Sequence, residues 1–185
     1  MLGTQFFWIT SRAAGIVALI LASVSVAVGL SIGGRLIRGR GPDLRVIHEA
    51  LSLAALGALA VHVLALLGDT YFHASVADLT IPFVRNYRGA YMAVGIIAGW
   101  GMLLLGLSYY ARERIGVSRW KVLHRFTALA WILGVVHSIG IGSDAGRAWF
   151  LAMTALAVGP PLILLLARIA RGGGRRRAAV ETAAG

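Results

Sequence analysis

The sequence contains no cysteine and few acidic residues. Its 185 residues include 7 Asp and Glu against 18 Lys and Arg, so the formal net charge is +11. The absence of cysteine excludes disulfides, iron–sulfur clusters and thiolate chemistry. Charged residues make up only 14% of the chain, whereas soluble domains carry about 25%. A water-soluble enzyme is therefore excluded.

Long apolar stretches take the place of the missing charges, and 58% of the residues are hydrophobic. A membrane-spanning helix needs about 20 mainly apolar residues. Five stretches meet this requirement, and no block of charges interrupts them: Ala13–Ile32, Val46–Leu67, Ala90–Tyr109, Val122–Ile141 and Ala148–Ala170. The sequence therefore predicts an all-α integral membrane protein, a bundle of five transmembrane helices.

The cations lie in short runs between these stretches, which indicates membrane topology and no nucleic-acid partner. Fourteen of them lie on one predicted side: Arg35, Arg38, Arg40, Arg45, Arg112, Arg114, Arg119, Lys121, Arg125, Arg168, Arg171, Arg175, Arg176 and Arg177. Four lie on the other: Arg12, Arg85, Arg88 and Arg147. The positive-inside rule then places the N-terminus outside and the C-terminus in the cytoplasm. We expect a multi-pass protein in contact with membrane lipid, in the cell membrane, of the bacterial inner (plasma) membrane type.

Glycines divide the chain into two predicted regions. Residues 1–171 form the membrane domain, and Gly172–Gly174 begins a flexible basic cytoplasmic tail over 172–185. The longest outer connection, Asp69–Arg88, contains Tyr71, Phe72, Phe83 and Tyr87. Aromatic side chains of this kind favour the membrane–water interface.

Two predicted spans each contain a pair of histidines. His48 and His62 stand at positions i and i+14 of the second span, and His124 and His137 at positions i and i+13 of the fourth. Each pair is therefore separated by about 20 Å along its helix. Because the two spans run in the same direction, His48 is expected to lie level with His124, and His62 level with His137.

Ionisable groups inside a bilayer are costly and usually functional. Two imidazoles that face each other between apolar walls provide the two axial ligands of a b-type haem, so the pattern predicts two haems stacked across the membrane. A lone histidine in a span is more often a packing hydrogen-bond donor, and His73 in the outer connection is expected to be a surface residue. Zinc is a weaker alternative because no carboxylate or thiolate accompanies the imidazoles.

The shorter spacing in the fourth span raises a geometric difficulty. Fourteen residues at about 100° each bring His62 to within about 40° of the face of His48, whereas thirteen leave His137 about 140° from His124. A tightened turn, a bulge or a strong tilt must close that difference if both bind haem. Gly134 is a candidate position for the distortion.

The chain resembles the ferric reductase-like transmembrane domain superfamily, over about Phe7 to Ala170. That superfamily includes eukaryotic ferric reductases, NADPH oxidases and the haem membrane subunit of the bacterial periplasmic methionine sulfoxide reductase system. The resemblance rests on the two histidine spacings and on the segment Trp120-Lys-Val-Leu-His124-Arg125. Ser11-Arg12-Ala13-Ala14-Gly15 is also similar to the opening helix of the family.

The resemblance implies transmembrane electron transfer from an inner haem, held by His48 and His124, to an outer haem, held by His62 and His137. Arg12 would then bind a propionate or polarise an acceptor, or serve as a plain interfacial arginine. Trp131 would lie between the macrocycles or serve as an ordinary core aromatic.

Several cations are expected to neutralise the inner propionates, namely Arg45, Arg119, Lys121 and Arg125. Glu49, beside an inner ligand, faces the headgroups or takes a proton from bound quinol.

We expect the chain to differ from the family's larger members, which continue into a C-terminal flavin and nicotinamide domain and, in the oxidases, have six spans against the five predicted here. We expect FAD or FMN and NAD(P)H only on a separate flavin reductase, or else a membrane quinol as donor. The acceptor is Fe(III), dioxygen or a periplasmic protein. Three functions stay open: an oxidoreductase of metalloreductase or electron-conduit type, a quinol-linked haem subunit that feeds a periplasmic oxidoreductase, and a haem-free membrane transporter or assembly protein.

Overall fold

Helices form all the regular structure in the part of the chain that the structure describes. The computed structural model describes residues 2–34, 36, 41–85, 88–142 and 144–184, with side chains except at 2–4, 41 and 173–184. The helices in chain order are α1 (Leu2–Gly34), α2 (Gly41–Leu67), α3 (Val76–Thr80), α4 (Gly89–Leu107), α5 (Arg112–Ile115), α6 (Val117–His124), α7 (Thr127–Ile141) and α8 (Ala148–Ala184).

Five helical segments within the described residues are long and apolar enough to cross a membrane. They are Gln5–Gly34, Pro42–Leu67, Gly89–Ile115, Val117–Ile141 and Ala148–Gly172. The prediction of five spans in an all-helical protein is therefore confirmed. Many of the large apolar side chains stay exposed on the outside of the bundle, as lipid-facing helices require.

The bundle consists of two packed helix pairs, α1 with α2 and α4 with α7, and α8 packs against α1. The centre is a cluster of Leu19, Ala22, Ala55, Trp131 and Val158, to which α1, α2, α7 and α8 contribute. Small residues allow close approach within each pair, since a Cβ added at Gly101 of α4 would lie 2.9 Å from the Cβ of Ala130 in α7. The helices that bear the histidines are thus held beside the helices that face them.

The third span bends at its C-terminal end. A 3₁₀ turn over Ser108–Ala111 follows α4, and the short helix α5 continues to Ile115. Gly116, with φ +91°, then reverses the chain into α6. A residue with a Cβ would be strained in this backbone conformation, so the reversal depends on glycine.

The fourth span is interrupted immediately after a histidine. Helix α6 ends at His124 and α7 begins at Thr127. Between them the backbone N–H groups of Arg125 and Phe126 donate to the carbonyls three residues earlier, at 3.2 and 2.9 Å. The expected tightened turn is present here, whereas Gly134 lies inside the uninterrupted α7 and is not its position.

The outer connection folds back onto the bundle. Ser75 caps α3 through a reciprocal capping box with Asp78, and the Arg85 guanidinium donates to the Phe72 carbonyl at 2.7 Å. The Trp100 indole N–H of α4 donates to the Thr80 carbonyl at 2.9 Å, which ties the connection to the third span. Tyr87, one of its predicted interfacial aromatics, lies outside the described residues.

The last helix is longer than the sequence indicates. Helix α8 continues through Pro160 and Pro161 and past Gly172–Gly174 to Ala184, so the glycine run does not end the helix. The division into a domain and a flexible tail stays a prediction. Several predicted inner cations lie outside the described residues or have side chains that do: Arg35, Arg38, Arg40, Arg175, Arg176 and Arg177.

Candidate functional site

The inner histidine pair lies between α2 and α6. The ring centroids of His48 and His124 are 6.1 Å apart, and the ring planes stand at 87° to each other. Two imidazoles that bind one metal from opposite sides have centroids roughly 6.2 Å apart, because each metal–nitrogen bond is about 2.0 Å and each nitrogen lies about 1.1 Å from its ring centre. The observed separation therefore matches that of two ligands of a single metal atom.

The outer pair, His62 of α2 and His137 of α7, lines one cavity of about 350 Å³. The cavity lies between the helix pairs and is walled largely by apolar side chains, including Leu19 and Met92. The structure thus brings His48 together with His124, and it places His62 and His137 in the wall of one cavity. Apolar walls around convergent imidazoles are typical of cofactor sites inside helix bundles.

The histidines of α2 are oriented by two serines of α1. His62 Nδ1 lies 2.8 Å from the Ser11 carbonyl oxygen and 3.0 Å from its hydroxyl oxygen. His48 Nδ1 lies 2.9 Å from the Ser25 carbonyl and 3.1 Å from its hydroxyl. A carbonyl can only accept, so each Nδ1 carries the proton and donates it, and each Nε2 keeps a free lone pair.

The histidines of the fourth span have carbonyl partners on α4. His137 Nδ1 donates to the Tyr91 carbonyl at 2.8 Å. His124 Nδ1 is buried and faces the Leu105 carbonyl, although this contact lies outside the geometry of an ordinary hydrogen bond. Histidines that ligate a metal usually donate their other N–H to a carbonyl or carboxylate in this way, which fixes ring orientation.

Glycines let three of the rings approach these carbonyls. Each glycine stands about one helical turn after the residue whose carbonyl faces the ring, on the same face of the helix. Gly15 contacts the ring of His62, Gly29 that of His48 and Gly95 that of His137. A Cβ at the first would lie 2.9 Å from the ring, one at the second 3.0 Å, and one at the third would overlap the ring. We call each such carbonyl with its glycine a cradle.

The partner carbonyls repeat at positions i and i+14 on both facing helices, Ser11 and Ser25 on α1 and Tyr91 and Leu105 on α4. The fourth span offers histidines only at i and i+13. Around the turn the N–H groups of Arg125, Phe126 and Ala128 donate to carbonyls three residues earlier. In ideal 3₁₀ geometry three residues rise about 0.5 Å more each than in an α-helix, which adds about 1.5 Å, the rise of one missing residue. They also rotate about 20° more each and close about 60° of the 140° difference.

Sequence reasoning missed the cradles, although a signal existed. The pattern Ser-x-x-x-Gly occurs at Ser11–Gly15 and again at Ser25–Gly29, with the i, i+14 spacing between the two serines. That repeat equals the spacing of the two histidines on the antiparallel neighbour α2. Matching repeats on adjacent antiparallel helices predict contacts at two depths.

Trp131 lies at the centre of the bundle and is 2% exposed. Its indole N–H donates to the Ser23 hydroxyl at 3.0 Å, and that hydroxyl donates to the Leu19 carbonyl at 2.7 Å. The residue also lines the outer cavity. Trp131 lies between His124 and His137 in the sequence, and it also lies between the two histidine levels in the bundle.

Arg12 lines the outer cavity and forms an ion pair with Asp144, which the sequence analysis did not single out. Asp144 is 3% exposed, and Arg147 is its second cation at 3.7 Å. The Arg12 guanidinium also lies 5.1 Å from the centre of the Trp8 ring. The outer end of the cavity therefore carries one buried carboxylate between two arginines.

The predicted inner cations do not converge on a site in the same way. Four of them have exposed side chains: Arg45, Arg119, Lys121 and Arg125. Glu49 accepts a hydrogen bond from the Tyr110 hydroxyl at 2.9 Å. His73 is exposed on the outer connection.

The donor set fits a haem better than a bare metal ion. Within the described ranges, no group of three or more His, Asp and Glu side chains could hold an ion. A haem iron takes four ligands from its porphyrin and needs only two from protein. The paired imidazoles, His48 with His124 and His62 with His137, match that number at each level.

Comparison with known proteins gives a match to a family model. No curated protein and no solved structure matches the chain. The model of the ferric reductase-like transmembrane component matches residues 14–135, which include three of the four paired histidines and all three of the cradle glycines. The chain therefore belongs to the ferric reductase-like transmembrane family, a family of transmembrane electron-transfer oxidoreductases.

Proposed function

We propose that this protein carries single electrons across the cell membrane through two bis-histidine b-type haems, from a cytoplasmic or membrane donor to an extracytoplasmic acceptor. The observation that carries the proposal is the pairing of four imidazoles at two depths, with each Nδ1 turned to a carbonyl. Histidines that only pack inside a bundle do not need a second histidine at the same depth. A haem-free protein therefore gives no reason for the matched depths of the four histidines.

Each histidine pair would hold one haem, His48 with His124 on the cytoplasmic side and His62 with His137 on the outer side. When bound, each haem would supply one reversible Fe(III)/Fe(II) couple. The chain would supply two ligands per level, and the walls of the cavity at the outer level are largely apolar. The histidine spacing on α2 separates the levels by about 21 Å.

Arg12 and Trp131 have supporting roles in this proposal. Arg12, at the outer end of the cavity, provides a positive charge for a propionate or an acceptor and is held in place by Asp144. Trp131 fills the space between the two levels and keeps it dry. Arg125, exposed beside His124, would neutralise an inner propionate.

The membrane potential favours the proposed direction. With the N-terminus outside, as the cation distribution predicts, electrons move outward from the negative inner side. A full crossing gains about 2.3 kcal/mol per 100 mV.

The first test is an absorption spectrum of the full-length protein purified from membranes in detergent. Dithionite reduction is expected to produce a b-type α-band, and the double substitution of His48 and His124 by alanine should remove about half of it. His73→Ala is the matched control, because this exposed histidine faces neither level. A preparation without the band would contradict the proposal and favour the haem-free class.

The second test distinguishes the donors. The oxidised protein is mixed with a quinol analogue, or with a flavin reductase and NADH, and haem reduction is followed by stopped flow. Rapid reduction by the flavin system alone would exclude the quinol-linked alternative, and rapid reduction by quinol alone would exclude a flavin reductase as the direct donor.

A further inference from the structure

The Ser11 hydroxyl has a defined direction at the outer level. Its O–H donates to the His62 carbonyl at 3.1 Å, and a carbonyl can only accept. A hydroxyl has one hydrogen, so the Ser11 oxygen can only accept from His62 Nδ1, at 3.0 Å. His62 Nδ1–H therefore has two acceptors, the carbonyl and the hydroxyl of one serine.

The Ser25 hydroxyl is fixed in the same direction by one further residue. The Ser52 O–H donates to the His48 carbonyl at 2.7 Å, so the Ser52 oxygen accepts from the Ser25 O–H at 2.8 Å. The Ser25 oxygen then accepts from His48 Nδ1–H at 3.1 Å. The three groups form a closed relay that begins and ends on His48.

The opposite ligands have a simpler environment. His137 Nδ1 meets the carbonyl of Tyr91, and His124 Nδ1 faces that of Leu105, with no hydroxyl acceptor for either among the described residues. Each level thus combines one ligand whose Nδ1 has a carbonyl and a hydroxyl acceptor with one ligand whose Nδ1 faces a carbonyl alone, at His124 without an ordinary hydrogen bond. Ser11 and Ser25 supply the hydroxyl acceptors that the opposite ligands lack.

We propose that Ser11 and Ser25 are positioning residues that lower the reduction potentials of the outer and inner haem, respectively. The inference rests on the proposed function. An acceptor at Nδ1–H increases the basicity of Nε2, and a more basic ligand stabilises Fe(III) over Fe(II). Loss of the hydroxyl therefore raises the potential of the haem at that level and leaves the other unchanged.

The test is a potentiometric titration of haem absorbance in the purified full-length protein. Ser11→Ala should favour reduction of the outer haem by about three- to tenfold, and tenfold corresponds to about 59 mV for one electron. Ser25→Ala should do the same at the inner haem. The two steps are assigned with His62→Ala, which removes the outer haem, and haem content is measured in each variant.

Two further variants keep the result decisive. Ser31→Ala is the matched control, because the Ser31 hydroxyl only donates to Ala27 on its own helix, at 2.8 Å. Ser52→Ala removes the acceptor of the Ser25 hydroxyl and should shift the inner haem in the same direction, by less than Ser25→Ala.

Haem-loaded serine variants whose potentials match those of Ser31→Ala would overturn the inference and leave the proposed function standing. Shifts of both haems in a single variant would also overturn it, since a general change in packing would then be the cause. A wild-type protein without haem would overturn the proposed function, and the inference with it.

Discussion

The two helix pairs hold their histidines in different ways. In the α1–α2 pair, both histidines lie on one continuous helix and contact serine carbonyls and hydroxyls. On the other side of the bundle, a tightened turn separates His124 of α6 from His137 of α7, and both rings face carbonyls of α4. The partner carbonyls nevertheless have the same i, i+14 spacing in both pairs.

The difference shows which quantity the fold keeps constant. The spacing of the partner carbonyls is shared, and the spacing of the histidines is not. A span whose histidines stand at i and i+13 still matches carbonyls at i and i+14, because its tightened turn has a larger rise per residue. With this larger rise, the histidine separation along the fourth span approaches that of α2, about 21 Å in ideal helical geometry.

The largest expected effect comes from inserting one residue into each histidine helix. An alanine inserted after Gly57 moves His62 by about 1.5 Å and rotates it by about 100° relative to His48, which destroys one level. An alanine inserted after Phe126 gives the fourth span the i, i+14 spacing that a regular α-helix can accommodate. We expect haem content to fall from two to one in the first variant and to stay near two in the second.

The haem-to-protein ratio, measured as pyridine haemochromogen, checks this prediction. Equal loss in the two insertion variants would mean that the tightened turn does not compensate for the missing residue.

Glycine substitutions compare how tightly each cradle holds its ring. Gly95→Ala places a Cβ into the His137 ring and should remove most of the outer haem, whereas Gly15→Ala, with a 2.9 Å contact, requires only a small shift of His62. Gly57→Ala is the control, because a Cβ there meets nothing within 4 Å. We expect haem content to be highest in Gly57→Ala, lower in Gly15→Ala and lowest in Gly95→Ala. A reversed order would contradict the cradle geometry.

The Arg12–Asp144 ion pair links α1 to the connection between α7 and α8. Asp144 is buried and Arg12 is partly exposed, so Arg12→Gln leaves a buried carboxylate with only the exposed Arg147, at 3.7 Å. We expect Arg12→Gln to cost about 1–3 kcal/mol of stability, and Asp144→Asn to cost less, because its unpaired cation can reach water. Thermal unfolding in detergent measures both, and a larger loss for Asp144→Asn would contradict this assignment.

The smallest expected effect concerns the connection between the two helix pairs. Hydrogen bonds from the Ser75 backbone and hydroxyl, with Arg85 nearby, hold the pKa of Asp78 below its ordinary value. The capping box therefore contributes stability above the ordinary pKa of an aspartate, about 3.9, and loses it as the pH falls through the lower folded value. Ser75→Ala should cost about 1 kcal/mol at neutral pH.

Hydrogen exchange of residues 75–80 follows this cap. The difference between wild type and Asp78→Asn should be full at about pH 6 and shrink as the pH falls below about 4. A difference that grew on acidification would contradict the capping role.

The sequence was sufficient for the parts of the fold that depend on composition and spacing. Apolar length predicted the five spans, and histidine spacing paired residues that the structure places together, as the 6.1 Å between His48 and His124 shows. These features follow from one helix at a time. Helical rise and membrane thickness are enough to derive them.

Features that depend on contacts between helices were not predictable in the same way. The turn at Arg125–Phe126 has no proline or glycine to mark it. Gly134, the candidate position for the helix distortion, lies within regular helix. Asp144 pairs with Arg12 across 132 residues of sequence, which only the packed bundle reveals. The Ser-x-x-x-Gly repeat was visible, but its meaning required knowing which helix faced the histidines.

Haem stoichiometry of single-histidine variants tests the pairing of the four imidazoles most directly. We predict two b-type haems per chain in the wild-type protein and one in each of His48→Ala, His62→Ala, His124→Ala and His137→Ala. The single variants His48→Ala and His124→Ala should both keep the spectrum of the outer haem. The single variants His62→Ala and His137→Ala should both keep the spectrum of the inner haem. A wild-type ratio of one or zero, or spectra that group the variants by helix rather than by level, would contradict the pairing.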